Sequence, residues 1–262
     1  LHIFLLPADG FCRGYRAGGG YTRCIQALFE LHTETFNAWT MIAGGIISCL
    51  LLGGVAASTR APIQGLVPFL ALTAAVLIHM PFSVGFHLFR GINADVYNLW
   101  RRLDQMFIFL VSILLAFGLS WHVYSSYVGI VINTAAAAVV AVVACMQIIG
   151  LQPQYQRHRC HMVVFVGSIV MCYWFPMGYQ LGKELVRGHF TVCSWMAVAT
   201  FVVLQMGGWV FAAGFPEKQF PGIFDLCGFS HQLMHVFAVL AHCLEYWFVW
   251  ELYKQSLQRV SR

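Results

Sequence analysis

The residues with most chemical potential lie in three short stretches. Ser230-His231-Gln232-Leu233-Met234-His235 sets two histidines at i and i+4. On a helix these positions share one face, with Cβ atoms about 5–6 Å apart, so both imidazoles can reach one cation. Two histidines near a helix end can also be plain interfacial groups, and the pair alone does not decide. Ser83-Val84-Gly85-Phe86-His87 repeats the i, i+4 spacing of polar residues, and Arg102-Leu103-Asp104 puts a carboxylate at the head of an apolar run. Three imidazoles with a carboxylate nearby suit a catalytic zinc, which keeps three protein ligands and one position for water.

Such a site needs elements that bring four distant residues together, and composition says what those elements are. The chain has 262 residues, 60% hydrophobic and only 10% charged. A typical soluble domain carries roughly 25% charged residues, and a surface this poor in charge cannot be solvated. The chain therefore reads as a polytopic membrane protein, which excludes disorder, collagen and coiled coil. Its net charge of +5 comes from scattered residues without a basic run, which argues against a nucleic-acid partner. The nine cysteines form no CxxC pair, and Cys49, Cys145, Cys172 and Cys243 read as small buried hydrophobes. The chain opens on Leu1 rather than methionine, which reads as a trimmed N-terminus. Leu1–Leu6 is too short for a signal-peptide core.

A helix needs about 20 apolar residues to cross the hydrocarbon core. Seven stretches qualify, over residues 37–58, 65–89, 103–121, 127–149, 162–182, 192–214 and 230–253. The alternation of a membrane barrel is missing. The expected organisation is an N-terminal segment over 1–36, a seven-helix domain over 37–253 and a C-terminal tail over 254–262. Within the first segment, Ile25, Leu28, Phe29, His32 and Phe36 have helical spacing, which predicts an amphipathic surface helix over Cys24–Phe36. Parity then does the decisive step. In any seven-span bundle the second and sixth loops lie on one side, so His87, Asp104, His231 and His235 all sit near one membrane face. Nine Lys and Arg fall on that side and six on the other. That balance predicts a cytoplasmic N-terminus and an extracellular or lumenal C-terminus.

The blocks GYRAGGG, LFELHTETFNAWT, SVGFHLF, RRLDQMF and FPEKQFPGIFDLCGFSHQLMHVFAVLAH resemble the progestin and adiponectin receptor family and its haemolysin III-type relatives. The resemblance covers roughly Tyr15 to Trp250. It implies a seven-helix bundle with an intramembrane zinc on His87, His231 and His235 near the cytoplasmic face, and Asp104 contacting the zinc's water. Related members are described as ceramidases or as receptors for adiponectin or progestins. Two departures from the usual HNETxNxWTH pattern are Thr33 and Met41, and Gln105 follows Asp104 where many members carry Tyr. None touches the three histidines; they bear on the subfamily and its ligand.

With the resemblance, Asp104 is read as the general base, with outer-shell orientation or capping of the third helix as its structural alternative. Ser83 either hydrogen-bonds the zinc's water or packs between helices. Glu34 and Asn37 either bond across the bundle or cap the surface helix. His79, His242 and Glu245 read as interhelical partners or interfacial groups, and His158 and His161 as solvated loop residues. Pro81 should kink the second helix. The leading functional reading is a zinc-dependent lipid amide hydrolase acting on ceramide, with membrane lipids or fatty acid as partners. The second is a receptor for an extracellular protein or steroid, its zinc purely structural. A pore ranks last, because the fourth to sixth spans are nearly uncharged.

Overall fold

The computed structural model describes Gly14 and residues 19–59, 63–150 and 159–260. Every regular element among them is helical. A short α1 (Tyr21–Gln26) runs into a 3₁₀ turn, and seven long helices follow: α2 (Thr35–Thr59), α3 (Ile63–Phe89), α4 (Ala94–Ser120), α5 (Tyr127–Gly150), α6 (Arg159–Val186), α7 (Val192–Ala213) and α8 (Ser230–Val260). Each long helix holds an apolar stretch of 22 to 29 residues, enough to cross a bilayer. Their outward faces carry Val131, Val139, Met146 and Trp209 exposed. Lipid accepts such a surface where water would not. The protein is an all-α, multi-pass membrane protein.

Several element ends differ from the sequence expectation. The predicted surface helix over Cys24–Phe36 is shorter and breaks at Glu30, whose backbone is extended. The Thr35 hydroxyl donates to the Glu30 carbonyl at 2.6 Å and accepts the His32 N–H at 2.9 Å. Local side-chain bonds of this kind compete with helix continuation. His32 is buried beneath this turn, and Phe36 belongs to α2. The third span starts nine residues early, because Asn93 caps it by accepting the Val96 N–H at 2.9 Å. Asp104 is thus an interior residue of α4, not a capping one. Residues 254–260, expected as a tail, are the last turns of α8. Arg159 and His161 fall within α6, while Leu1–Leu6 and His158 lie outside the described residues. Pro81 lies inside α3, which runs unbroken through it.

The helices close a ring. α3 packs on α4 and α2, α4 on α6, α6 on α7, and α7 on α8; α8 returns to α2, and α5 lies against α4 and α6. In the half of the bundle away from the histidines, Phe69, Leu72, Leu119, Phe248 and Val249 form the apolar core. Two glycines bring α3 and α4 together. A Cβ on Gly118 would stand 2.9 Å from the Pro68 carbonyl oxygen, and one on Gly85 would stand 2.0 Å from the Trp100 ring. Small residues at such contacts let membrane helices approach closely. Gly85 sits between Ser83 and His87, so this approach sets the height of α4 against the polar end of α3.

Candidate metal centre

Parity's juxtaposition holds in the fold. His87 from α3 meets His231 and His235 from α8, and one ligand atom from each lies within 4.8 Å of the others. The ring centroids are 5.0, 5.2 and 4.7 Å apart, each pair edge-on. His87 and His235 are buried and His231 half-buried. The Phe211 ring of α7 stands 5.4 Å from His231.

Hydrogen bonds on the outer nitrogens set the tautomers. His87 Nδ1–H donates to Glu34 Oε2 at 2.7 Å, which leaves Nε2 as a lone pair. That Nε2 is buried without a hydrogen-bond partner. Thr40 donates its hydroxyl hydrogen to the Asn37 carbonyl at 2.9 Å, so its oxygen accepts His235 Nδ1–H at 3.1 Å. His235 Nε2 is then also a free lone pair. An unpaired buried acceptor such as His87 Nε2 is costly, and a cation held among the three imidazoles would satisfy it. Imidazole donors suit a transition-metal ion rather than calcium or magnesium.

Glu34 belongs to a small clasp before α2. His32 Nε2 donates to the Ala27 carbonyl at 3.0 Å, and its Nδ1 accepts the Glu34 N–H at 3.1 Å. Trp39 Nε1 donates to the Leu28 carbonyl at 2.9 Å. The clasp presents Glu34 to the bundle, where Oε1 accepts from Arg90 at 2.8 Å and Oε2 from Asn37 at 2.9 Å. Burial pushes the Glu34 carboxyl up, but the Arg90 guanidinium, then His87 and Asn37, outweigh it and hold it well below the usual carboxylate range. A second clamp fixes the start of α8. Glu217 accepts the Ser230 N–H at 2.8 Å and also its hydroxyl, while Gln232 bonds the Gly228 N–H at 2.6 Å and the Leu226 carbonyl at 3.0 Å.

Asp104 does not join the three histidines. Its Oδ1 accepts His79 Nε2–H at 3.1 Å, and both side chains are mostly buried. Ser83 is buried on α3 one turn before His87. Of the alternatives open to Glu34 and Asn37, Glu34 bonds across the bundle to His87 and Arg90, whereas the Asn37 side chain bonds locally to Glu34. Arg90 counted only as a loop charge in the sequence, and Thr40 and Glu217 stood unmarked inside the blocks LFELHTETFNAWT and FPEKQFPGIFDLCGFSHQLMHVFAVLAH. The spacing His79, Ser83, His87, an i, i+4, i+8 row, was the available hint for His79. Deeper in the membrane, Ser48 bonds His242 at 2.9 Å, and His242 stands 3.5 Å from Glu245. The Ser48–His242 bond is interhelical, as expected of His242, whereas Glu245 meets His242 within α8.

The profile of the family described as Haemolysin-III related matches residues 29–246, which spans the Glu34 clasp and all three histidines. The chain belongs to that family. Among the relatives of this haemolysin-III-related protein is the adiponectin receptor protein of Drosophila melanogaster, 24% identical over 93% of this chain and 56% of the relative. The progestin and adipoQ receptor-like protein 1 of Caenorhabditis elegans is 26% identical over 88% of this chain and 54% of its own length. The human progestin and adipoQ receptor family member 3 is also 26% identical, over 89% of this chain and 77% of its own. The chain thus spans little more than half the length of the first two. The resemblance to progestin and adiponectin receptors is borne out.

Proposed function

We propose that this protein holds one zinc ion on His87, His231 and His235 and hydrolyses a ceramide-like lipid amide at that site. The observation that carries the reading is His87, whose buried Nε2 has no hydrogen bond while its Nδ1–H is held by Glu34. A carboxylate behind a histidine ligand fixes its tautomer and raises its basicity. The count of ligands favours an open site. Among the described residues no fourth His, Cys, Asp or Glu joins the three, whereas closed structural zinc sites have four protein ligands.

When bound, zinc supplies Lewis acidity toward a carbonyl and makes a water acidic near neutral pH. The chain's own residues do the rest. Glu34 and Thr40 keep the imidazoles of His87 and His235 in the ligating tautomer. Asp104 takes a proton from the water that attacks the amide carbon. As the new C–O bond forms and the C–N bond breaks, Asp104 returns that proton to the leaving nitrogen. The products are a fatty acid and a sphingoid amine. Ser83 donates a hydrogen bond to the attacking oxygen. The face carrying the histidines is cytoplasmic in this reading, with the C-terminus extracellular or lumenal, and substrate enters from the bilayer.

A second reading is a receptor for an extracellular protein or steroid, in which zinc only ties α3 to α8. It is favoured by the ligands' coming from just those two helices. One experiment separates the two. Purified protein is assayed for zinc and for single-turnover release of fatty acid from long-chain ceramide, beside Asp104→Asn. The hydrolase reading expects about one zinc in both proteins and release about 10²–10⁴-fold slower in the variant. Equal release by both sinks the hydrolytic mechanism, and zinc without any release leaves the receptor reading.

A further inference from the structure

We infer that His79 is a positioning residue for Asp104: it holds the carboxylate of α4 in the orientation the hydrolytic site requires. The inference rests on the proposed function, since it assigns a role within that chemistry.

The geometry begins on α3. His79, Ser83 and His87 follow one another at four-residue steps, so they share a face. One helix therefore carries both a metal-site histidine and the histidine bonded to Asp104. The two sit about 12 Å apart along the axis by helix rise. Asp104 meets this row from α4, with Oδ1 accepting from His79 Nε2–H at 3.1 Å. His79 is a fourth imidazole, on the same face of α3 as His87 but outside the ligand group.

An aspartate inside a membrane helix is expensive and needs a partner. His79 is the partner, and it engages only one carboxylate oxygen. Oδ2 remains to take and return a proton. The α3–α4 contact around the pair is close. Three residues on from each member, Phe82 and Phe107 stack with centroids 3.6 Å apart and planes within 15°. Trp100 lies against Gly85. A carboxylate held at one oxygen across such an interface cannot swing away from the histidines. Without His79 it would rotate freely or turn toward any water that entered.

The test uses the full chain in detergent or liposomes, as wild type, His79→Ala, His79→Gln, Asp104→Asn and the double variant His79→Ala/Asp104→Asn. Each is measured for zinc content, thermal melting and single-turnover release of fatty acid from ceramide. Outer-shell partners typically contribute 10–100-fold. We expect His79→Ala to slow release by about that factor with zinc content unchanged. His79→Gln, whose amide N–H reaches the same carboxylate oxygen, should recover most of the rate. The double variant should be no slower than Asp104→Asn alone, because a residue acting through another adds nothing once that other is gone. A wild-type rate in His79→Ala, equal losses in the Ala and Gln variants, or multiplied losses in the double variant would overturn the inference and leave the hydrolase reading standing. Wild-type protein that binds zinc but releases no fatty acid would overturn both. The melting cycle, read without substrate, would then identify His79–Asp104 as an interhelical tie if the two losses are not additive.

Discussion

Glu34, on the loop before α2, and His87, on α3, are joined by a 2.7 Å hydrogen bond across 53 residues of sequence. The bond ties the N-terminal clasp to the three-histidine cluster. It also selects the tautomer of a histidine whose other nitrogen is sealed from water. The same carboxylate takes Arg90, whose guanidinium lies 5.0 Å over the Phe86 ring, so the end of α3 and the turn after it both meet this side chain.

The proposed zinc should therefore bind with an affinity that depends on Glu34, which lies outside the three-histidine group. Glu34→Ala is expected to weaken it about 10–100-fold. Glu34→Gln should fall between, because its amide oxygen still accepts from His87 but turns a donor or a neutral oxygen toward Arg90. Competition with a chromophoric chelator measures this, and an unchanged affinity in Glu34→Ala would remove the clasp from the site.

Metal removal should loosen the bundle, since the three histidines join α3 to α8 and metal binding free energy is also folding free energy. The melting temperature of wild type should drop on complete chelation. His87→Ala should melt low with or without chelator. Melting curves unaffected by chelation of a zinc-loaded sample would contradict a metal shared between the two helices.

His122, on the loop after α4, has a buried Nε2 with no hydrogen bond and lies 5.6 Å from the Tyr253 ring. Burial pushes its pKa down from 6.5 to about 4. The folded state thus binds fewer protons than the unfolded chain between those values, so stability is full above about pH 6.5 and falls as pH drops toward 4. Replacing His122 with Phe should flatten melting temperature against pH in that window. A parallel decline in both proteins would show that His122 is not its source.

Gly85 has no room for a side chain, as its Cβ would stand 2.0 Å from the Trp100 ring. Gly85→Ala should destabilise by about 1–3 kcal/mol through overpacking. It should also weaken zinc binding, because it pushes α4 off the end of α3 that carries His87. Trp100→Phe in the same chain should restore part of both. Thermal melts and zinc titration of the single and double variants check this, and a silent Gly85→Ala would mean that α3 and α4 move apart freely.

The seven spans were legible because lipid leaves so little choice: about 20 apolar residues with no backbone partner outside the segment must be helix. The three histidines were legible for a related reason. An i, i+4 pair fixes a helix face, and the parity of membrane crossings fixes which loops share a side, whatever the rotation of each helix. Those two facts put His87, His231 and His235 near one membrane face; that the three rings meet is settled by the packing of α3 against α8. The partners of these residues were not legible in the same way. Whether Glu34 caps a surface helix or reaches His87 depends on where that helix breaks, and the break is made by Thr35 and Glu30 rather than by apolar periodicity. Likewise, Asp104 read as the head of a helix because the apolar run begins there, but Asn93 starts α4 earlier and turns Asp104 toward His79. Periodicity reports which face of a helix is apolar. Which residue meets which across an interface is decided by helix rotation, tilt and close approach at glycines such as Gly85 and Gly118, and these arise only when all seven helices pack at once.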